Sequence, residues 1–339
     1  MSLYAPTIVM WALVNLLLVG RTYATCRALA MEGGGDKGAY QVGVLQGLTQ
    51  LLPGEEVAYD FITGVSAGAL NACIMSQFPQ GNETEATAFL AQTWLSTSVS
   101  SILKQWPGSY VQGVLFENSL LDGSGMYPWI LSLVPHAPSR NIIVGATNED
   151  LGIFQDFNQS IGYPNFAEAC LASSAYPVFL PNRQLLNQTY MDGGCIINED
   201  IFKAVEACLE LTDGDESQVI IDSILLSGSY IPEVNASSYT TWSIMERARG
   251  ISSADSSIWY LYNAMLAYPQ VNFRYTFLPS QPLPSELIPL NYNPKNILAM
   301  LAIGQADAQK MVAGQGNSTQ TTVQQYASKR SSRRAFARN

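Results

Sequence analysis

Histidine is almost absent from this 339-residue chain, which holds one, His136. A hydrolase that deprotonates its nucleophile with imidazole therefore has a single residue to draw on, and otherwise needs a different base. Cysteine is scarce too. The five, Cys26, Cys73, Cys170, Cys195 and Cys208, match no zinc spacing. Their odd number leaves at least one thiol outside any intramolecular bridge. A chain of this length does not need disulfides, so buried thiols and one or two bridges both stay open. Internal repeats are missing, and no segment after residue 24 is apolar enough for long enough to span a bilayer. Positive charge is short: the net charge is −10, and five of the 17 Lys and Arg residues crowd into the last dozen positions. The body is thus acidic and would repel nucleic acid and strongly anionic membrane. With 47% hydrophobic residues, general disorder is excluded as well.

What is present begins with an apolar run of twelve residues, 8–19, interrupted by Asn15 and followed by Thr22-Tyr23-Ala24. The run is too short for a comfortable span and is expected to be a signal peptide, residues 1–24, cleaved after Ala24. No Lys or Arg precedes it, which keeps an uncleaved signal anchor as the alternative. Asn82, Asn158, Asn187, Asn235 and Asn317 each open a glycosylation sequon. The expected product is a secreted or lumenal glycoprotein, lysosomal and vacuolar lumens included.

Periodicity gives an alternating order of strands and helices. Buried strands are expected at 27–31, 59–63, 141–147, 153–157, 219–227 and 271–278, and helices at 39–51, from 67, at 166–173 and at 296–312. Such alternation argues for a layered α/β fold. Residues 313–339, polar and then basic, read as a disordered tail that could touch anionic surfaces.

Three clusters can carry chemistry. Gly64-Val65-Ser66-Ala67-Gly68 is a G-x-S-x-G turn directly after a strand and before a helix of small residues. Flanking glycines let such a serine approach the strand and helix closely, and the helix N-terminus favours an anion nearby. Gly33-Gly34-Gly35-Asp36-Lys37-Gly38 exposes backbone N–H groups that could hold a tetrahedral oxyanion, with Lys37 adding positive charge. Gly33, Gly35 and Gly38 also satisfy the dinucleotide fingerprint. The only acids at the right distance, Glu55 and Glu56, precede the second strand instead of ending it. Asp192, in Met191-Asp192-Gly193-Gly194, is by default a turn residue. In the functional reading the glycines let its carboxylate reach Ser66, and partial burial raises its basicity. His136 lies in the proline-punctuated Val134-Pro135-His136-Ala137-Pro138 and reads as a surface residue.

Taken together, in this order and context, the three clusters resemble those of the patatin-like phospholipases from about residue 27 to 312. Ala172-Ser173-Ser174-Ala175-Tyr176-Pro177 and Asn293-Pro294-Lys295-Asn296-Ile297 add to the likeness. The resemblance implies a three-layer α/β/α sandwich with a central, mostly parallel sheet over residues 25–312. It further implies a lipid acyl hydrolase of phospholipase A type, acting at a membrane or micelle surface without metal or other cofactor. By position Ser66 is then the nucleophile and Asp192 the base. Gly33, Gly34 and Gly35 form the oxyanion hole, supported by Lys37, Gly38, Gly64, Gly68, Gly193 and Gly194. Gly194 stands where many members carry alanine. A non-enzymatic lipid-binding or storage protein and a nucleotide-binding protein are the alternatives. Apolar residues around Trp94, Leu103, Trp106 and Trp129 are candidates for an acyl channel, with packing as their plainer role.

Overall fold

The computed structural model describes residues 25–226, 234–284 and 292–336; the segment read as a signal peptide lies outside them. Eight strands form the main sheet. They are β1 (Cys26–Met31), β2 (Phe61–Val65), β3 (Asn141–Asn148), β4 (Ile153–Asn158), β5 (Arg183–Leu185), β6 (Gln188–Asp192), β7 (Val219–Ile224) and β8 (Asn272–Phe277). Their order is β8-β7-β1-β2-β3-β6-β5, with β4 also paired to β3. The run from β8 to β3 is parallel, and the pairings of β3 with β4 and β6, and of β5 with β6, are antiparallel.

Sequence pattern explains the layers. Central parallel strands are covered on both faces and read as nearly continuous apolar runs, as β1, β2 and β7 do. Side chains alternate across the pleat. Leu29 and Met31 of β1 enter one core, and Cys26, Ala28 and Ala30 enter the other. The first core lies under α1 (Gly38–Leu51), α2 (Ala67–Met75), α3 (Glu83–Ser96), α6 (Asn165–Ser173) and α9 (Pro294–Val312). The second lies under α7 (Ile201–Leu211), α8 (Thr241–Ala267) and α10 (Thr319–Phe336). Between α3 and β3 the chain forms a cap. It holds a turn of helix (Val99–Ile102), α4 (Ser109–Phe116), α5 (Met126–Leu133) and the short antiparallel pair Lys104–Gln105 with Leu121–Asp122. The three-layer α/β/α architecture with a mostly parallel sheet is therefore as expected.

One expectation is corrected. The tail is not disordered throughout, because α10 packs on the sheet at β8. Thr319, Thr322 and Val323, spaced i, i+3, i+4, form one buried stripe, and Thr319 Oγ1 donates to Thr276 Oγ1 at 3.0 Å. A stripe with a single aliphatic residue is hidden in a Gln/Ser/Thr-rich composition. The open question of the cysteines resolves as two buried disulfides, Cys26–Cys208 joining β1 to α7 and Cys73–Cys170 joining α2 to α6. Cys195 is exposed and lies outside both. All five sequon asparagines are exposed. Among the described residues no helix is long and apolar enough to cross a membrane.

Candidate active site

Strand register alone brings two of the three clusters together. Val65 pairs with Gly145 on β3, and the next β3 residue, Ala146, pairs with Asp192. Ser66, one residue past β2, and Asp192, the last residue of β6, thus meet across β3 at the carboxyl end of the parallel strands, where open α/β sheets bind ligands. Ser66 Oγ donates to Asp192 Oδ2 at 2.6 Å.

The Ser66 turn is held from several sides. Its backbone sits at φ 53°, ψ −120°, a conformation that costs a non-glycine residue. Ser66 N–H donates to Ser173 Oγ (3.0 Å), Ser173 Oγ donates to Gly145 O (2.6 Å), and Ser174 Oγ donates to Ser66 O (3.0 Å). Both hydroxyls come from the end of α6. Gly64 and Gly68 make the turn sterically possible: a Cβ on Gly64 would lie 2.5 Å from Gly68 O, and one on Gly68 2.3 Å from Met31 O. The small-residue helix that follows is thereby pressed against β1.

Asp192 is buried and accepts a second hydrogen bond, from Gly194 N–H at 2.8 Å on its Oδ1. Its own N–H donates to Ala175 O (2.9 Å), and Thr147 Oγ1 donates to its carbonyl (3.0 Å). Gly193 admits the approach, since a Cβ there would stand 2.3 Å from Gly145 O. With both carboxylate oxygens engaged, Oδ2 is aimed at Ser66.

The glycine loop follows β1 and faces the same space. Gly33 differs from expectation as a donor, because its N–H is already given to Asn198 O (2.9 Å). Asn198 Nδ2 in turn donates to Gly33 O (3.1 Å) and to Glu32 Oε1 (2.9 Å). The buried Glu32 carboxylate also accepts from Ser257 Oγ (2.6 Å), Ser253 Oγ (3.3 Å) and Leu226 N–H (2.5 Å). Asn198 and Glu32 therefore pin the root of the loop, and Gly34 and Gly35 line the same space as Ser66. Ser173 lies in the Ala172–Pro177 stretch already singled out, which does not reveal its role on the Ser66 turn, and neither Asn198, Glu32 nor the α8 serines stands out in the sequence. The sole hint is the position of Glu32 between a strand and the glycines.

These parts open on a cavity of about 640 Å³ lined by Gly33, Gly34, Gly35, Lys37, Ser66, Asp192 and Gly194. One wall is apolar and comes largely from the cap (Val99, Ile102, Leu103, Met126, Trp129), while α8 contributes Ser252, Ser253 and Ser256. Of the aromatic candidates, Trp129 lines the cavity. Trp94 is buried with its indole N–H on Asn71 Oδ1, and Trp106 donates to Ser119 O. Gly38 packs against Trp94. His136 is exposed and bonded to Gln77 through its backbone. Of the two acids the nucleotide alternative offers, Glu56 is held by Arg274 at 3.0 Å, and both Glu55 and Glu56 lie in the turn of helix Gly54–Val57, before β2 instead of at its end.

The arrangement presents an alcohol on a carboxylate, a glycine loop lining the same cavity and an apolar wall, which suits acyl transfer. Human calcium-independent phospholipase A2-gamma is 25% identical over 288 residues, covering 78% of this chain, and the chain spans 36% of that relative's length. The solved structure of VipD from Legionella pneumophila superposes with a TM-score of 0.39 at 12% identity, over 86% of this chain and 67% of that one. The model of the patatin-like phospholipases matches residues 29–205, more than half of the chain, and to that family the chain belongs.

Proposed function

We propose that the protein is a secreted or lumenal lipid acyl hydrolase working through a Ser66–Asp192 dyad. The observation that carries this reading is the 2.6 Å hydrogen bond from Ser66 Oγ to a buried carboxylate, beside the glycine loop and at the edge of an apolar cavity. Asp192 takes the Ser66 proton as Oγ attacks the ester carbonyl. The tetrahedral oxyanion is met by the N–H groups of Gly34 and Gly35, with Lys37 on the cavity wall adding positive charge. Collapse expels the alcohol, which leaves with the proton from Asp192. Water, deprotonated by Asp192, then cleaves the acyl-enzyme and frees the fatty acid and Ser66. No step calls for a metal or other cofactor. The apolar cap wall suits a fatty acyl chain, and the serines of α8 suit a polar headgroup. Two buried disulfides and five exposed sequons support passage through the secretory pathway.

Ester hydrolysis should fall by about 1,000-fold or more in Ser66→Ala and in Asp192→Asn, with an unchanged circular dichroism spectrum, while His136→Ala keeps its rate. A lipid panel read by mass spectrometry identifies the substrate. Labelling of Ser66 by an organophosphonate separates this reading from a non-catalytic lipid-binding protein, which would leave Ser66 unmodified.

A further inference from the structure

A second, smaller cavity of about 10 Å³ shares a boundary with the main one: Leu70, Trp129 and Tyr292 line both. Ile74, Trp94 and Thr97 line the second alone. Its polar neighbours are engaged elsewhere. Asn71 Nδ2 donates to Gly38 O (3.0 Å) and Gln41 Oε1 (2.9 Å), Asn71 Oδ1 accepts from Trp94 Nε1 (2.8 Å), and Thr93 Oγ1 donates to Phe89 O (2.9 Å). The gap is thus bounded mainly by hydrocarbon and aromatic rings, a lining that stays dry and accepts apolar groups.

The two cavities follow one another along α2. Leu70 N–H closes the first turn of this helix on Ser66 O (3.0 Å), and Ile74 stands one turn further on. At about 1.5 Å per residue, Leu70 is about 6 Å and Ile74 about 12 Å along the axis from the nucleophile. An extended chain covers about 1.2 Å per bond. A chain that starts at Ser66 therefore meets the shared boundary after about five bonds and would enter the second cavity before about ten. Tyr292 stands at that boundary. Its ring packs edge-on against Trp94 with centroids 5.0 Å apart, and its hydroxyl has no hydrogen-bond partner among the described residues. A buried tyrosine usually bonds its hydroxyl. What Tyr292 supplies here is the bulk of its ring.

We infer that Tyr292, backed by Trp129 and Leu70, is the stop that sets acyl-chain length: the chain leaves Ser66 along α2, and its methyl end abuts the ring that closes off the second cavity. This rests on the acyl-hydrolase reading of the main cavity and makes Tyr292 a specificity-determining residue with no part in the bond-making steps.

The test is a series of saturated nitrophenyl esters of about 4 to about 16 carbons. Each methylene that gains apolar contact should raise kcat/KM by about fourfold, and in the parent this rise should break at about six to ten carbons. In Tyr292→Ala the break should move out by about four to six carbons, one helical turn. An ester about four carbons past the parent's break should then gain about 100-fold, while the shortest ester stays within about twofold of the parent rate. Tyr292→Phe keeps the ring and should keep the break. Thr97→Phe, added to Tyr292→Ala, fills the opened space and should bring the break back. Should Tyr292→Ala not fold, Trp129→Ala replaces it with the same shift expected. A break unmoved in the folded alanine variants overturns the proposal. So does a parent series with no break, a shift that Tyr292→Phe reproduces, or one that Thr97→Phe leaves in place in a folded protein. Titration of the free fatty acids into Ser66→Ala versions of these proteins reads the same break without acyl transfer. A parent inert toward every ester would therefore remove the hydrolase reading while the titrations still decide the role of Tyr292.

Discussion

Ser66 is held at φ 53° and ψ −120°, a conformation that costs a residue with a side chain about 1–3 kcal/mol. Two hydroxyls at the end of α6, those of Ser173 and Ser174, hold its N–H and its carbonyl, so the surrounding frame supplies the energy that keeps Oγ on Asp192. Asn198 plays the corresponding part for the glycine loop. It exchanges two hydrogen bonds with Gly33 and ties that residue to Glu32. Asn198→Ala should loosen the loop without disturbing the dyad. The expected result is a kcat lower by about 10–100-fold with KM nearly unchanged, read by steady-state kinetics on a soluble ester. A merely structural role would instead lower the melting temperature and leave kcat per folded molecule intact.

At the scale of elements, what was legible depended on how each segment meets its neighbours. β1, β2 and β7 are covered on both faces and announce themselves as apolar runs. The small residues of α2 and the glycines at 64 and 68 signal the tight turn that presents Ser66, so the strand–turn–helix was readable, although the strand lies at 61–65, two residues later than the expected 59–63. The 27-residue α8 was not. Its Ser253 and Ser257 face Glu32 inside the protein, and a pattern reading counts serine as solvent-facing. The β5–β6 hairpin was missed for a different reason: its turn residues Leu186 and Asn187 both have positive φ with no glycine to announce them. Asn198 carried no local sign because its role depends on a strand 166 residues away in sequence. Among the described side chains of α10, Val323 is the aliphatic member of the buried stripe, and Val323→Ala should lower stability by about 1–2 kcal/mol, measured by urea unfolding.

For the molecule as a whole, acid carboxyls buried beside the site set the response to pH. Burial pushes Glu199 well above the ordinary carboxyl range; a hydrogen bond from Ser223 opposes this and the charge of Glu32 adds to it. Burial does the same to Asp200, with neighbouring Asp156 adding to the effect. Both are protonated in the fold at a pH where the unfolded chain, with carboxyls near about 4, has released its protons. Their stabilising effect is complete below that value and is lost as pH rises through the folded-state range. The thermal midpoint should therefore fall from pH 5 to pH 7.5. In Glu199→Gln, which keeps the side-chain volume, the slope should be shallower by up to about 1.4 kcal/mol per pH unit. An identical slope in parent and variant would dismiss Glu199 as a contributor.

The Cys26–Cys208 bridge closes a ring of chain that contains Ser66, Asp192 and the second bridge. Any single proteolytic nick within that ring yields two fragments still covalently joined. Where proteases are present, a molecule cut once within the ring keeps nucleophile and base on one covalent body, and only a reductant can separate the pieces.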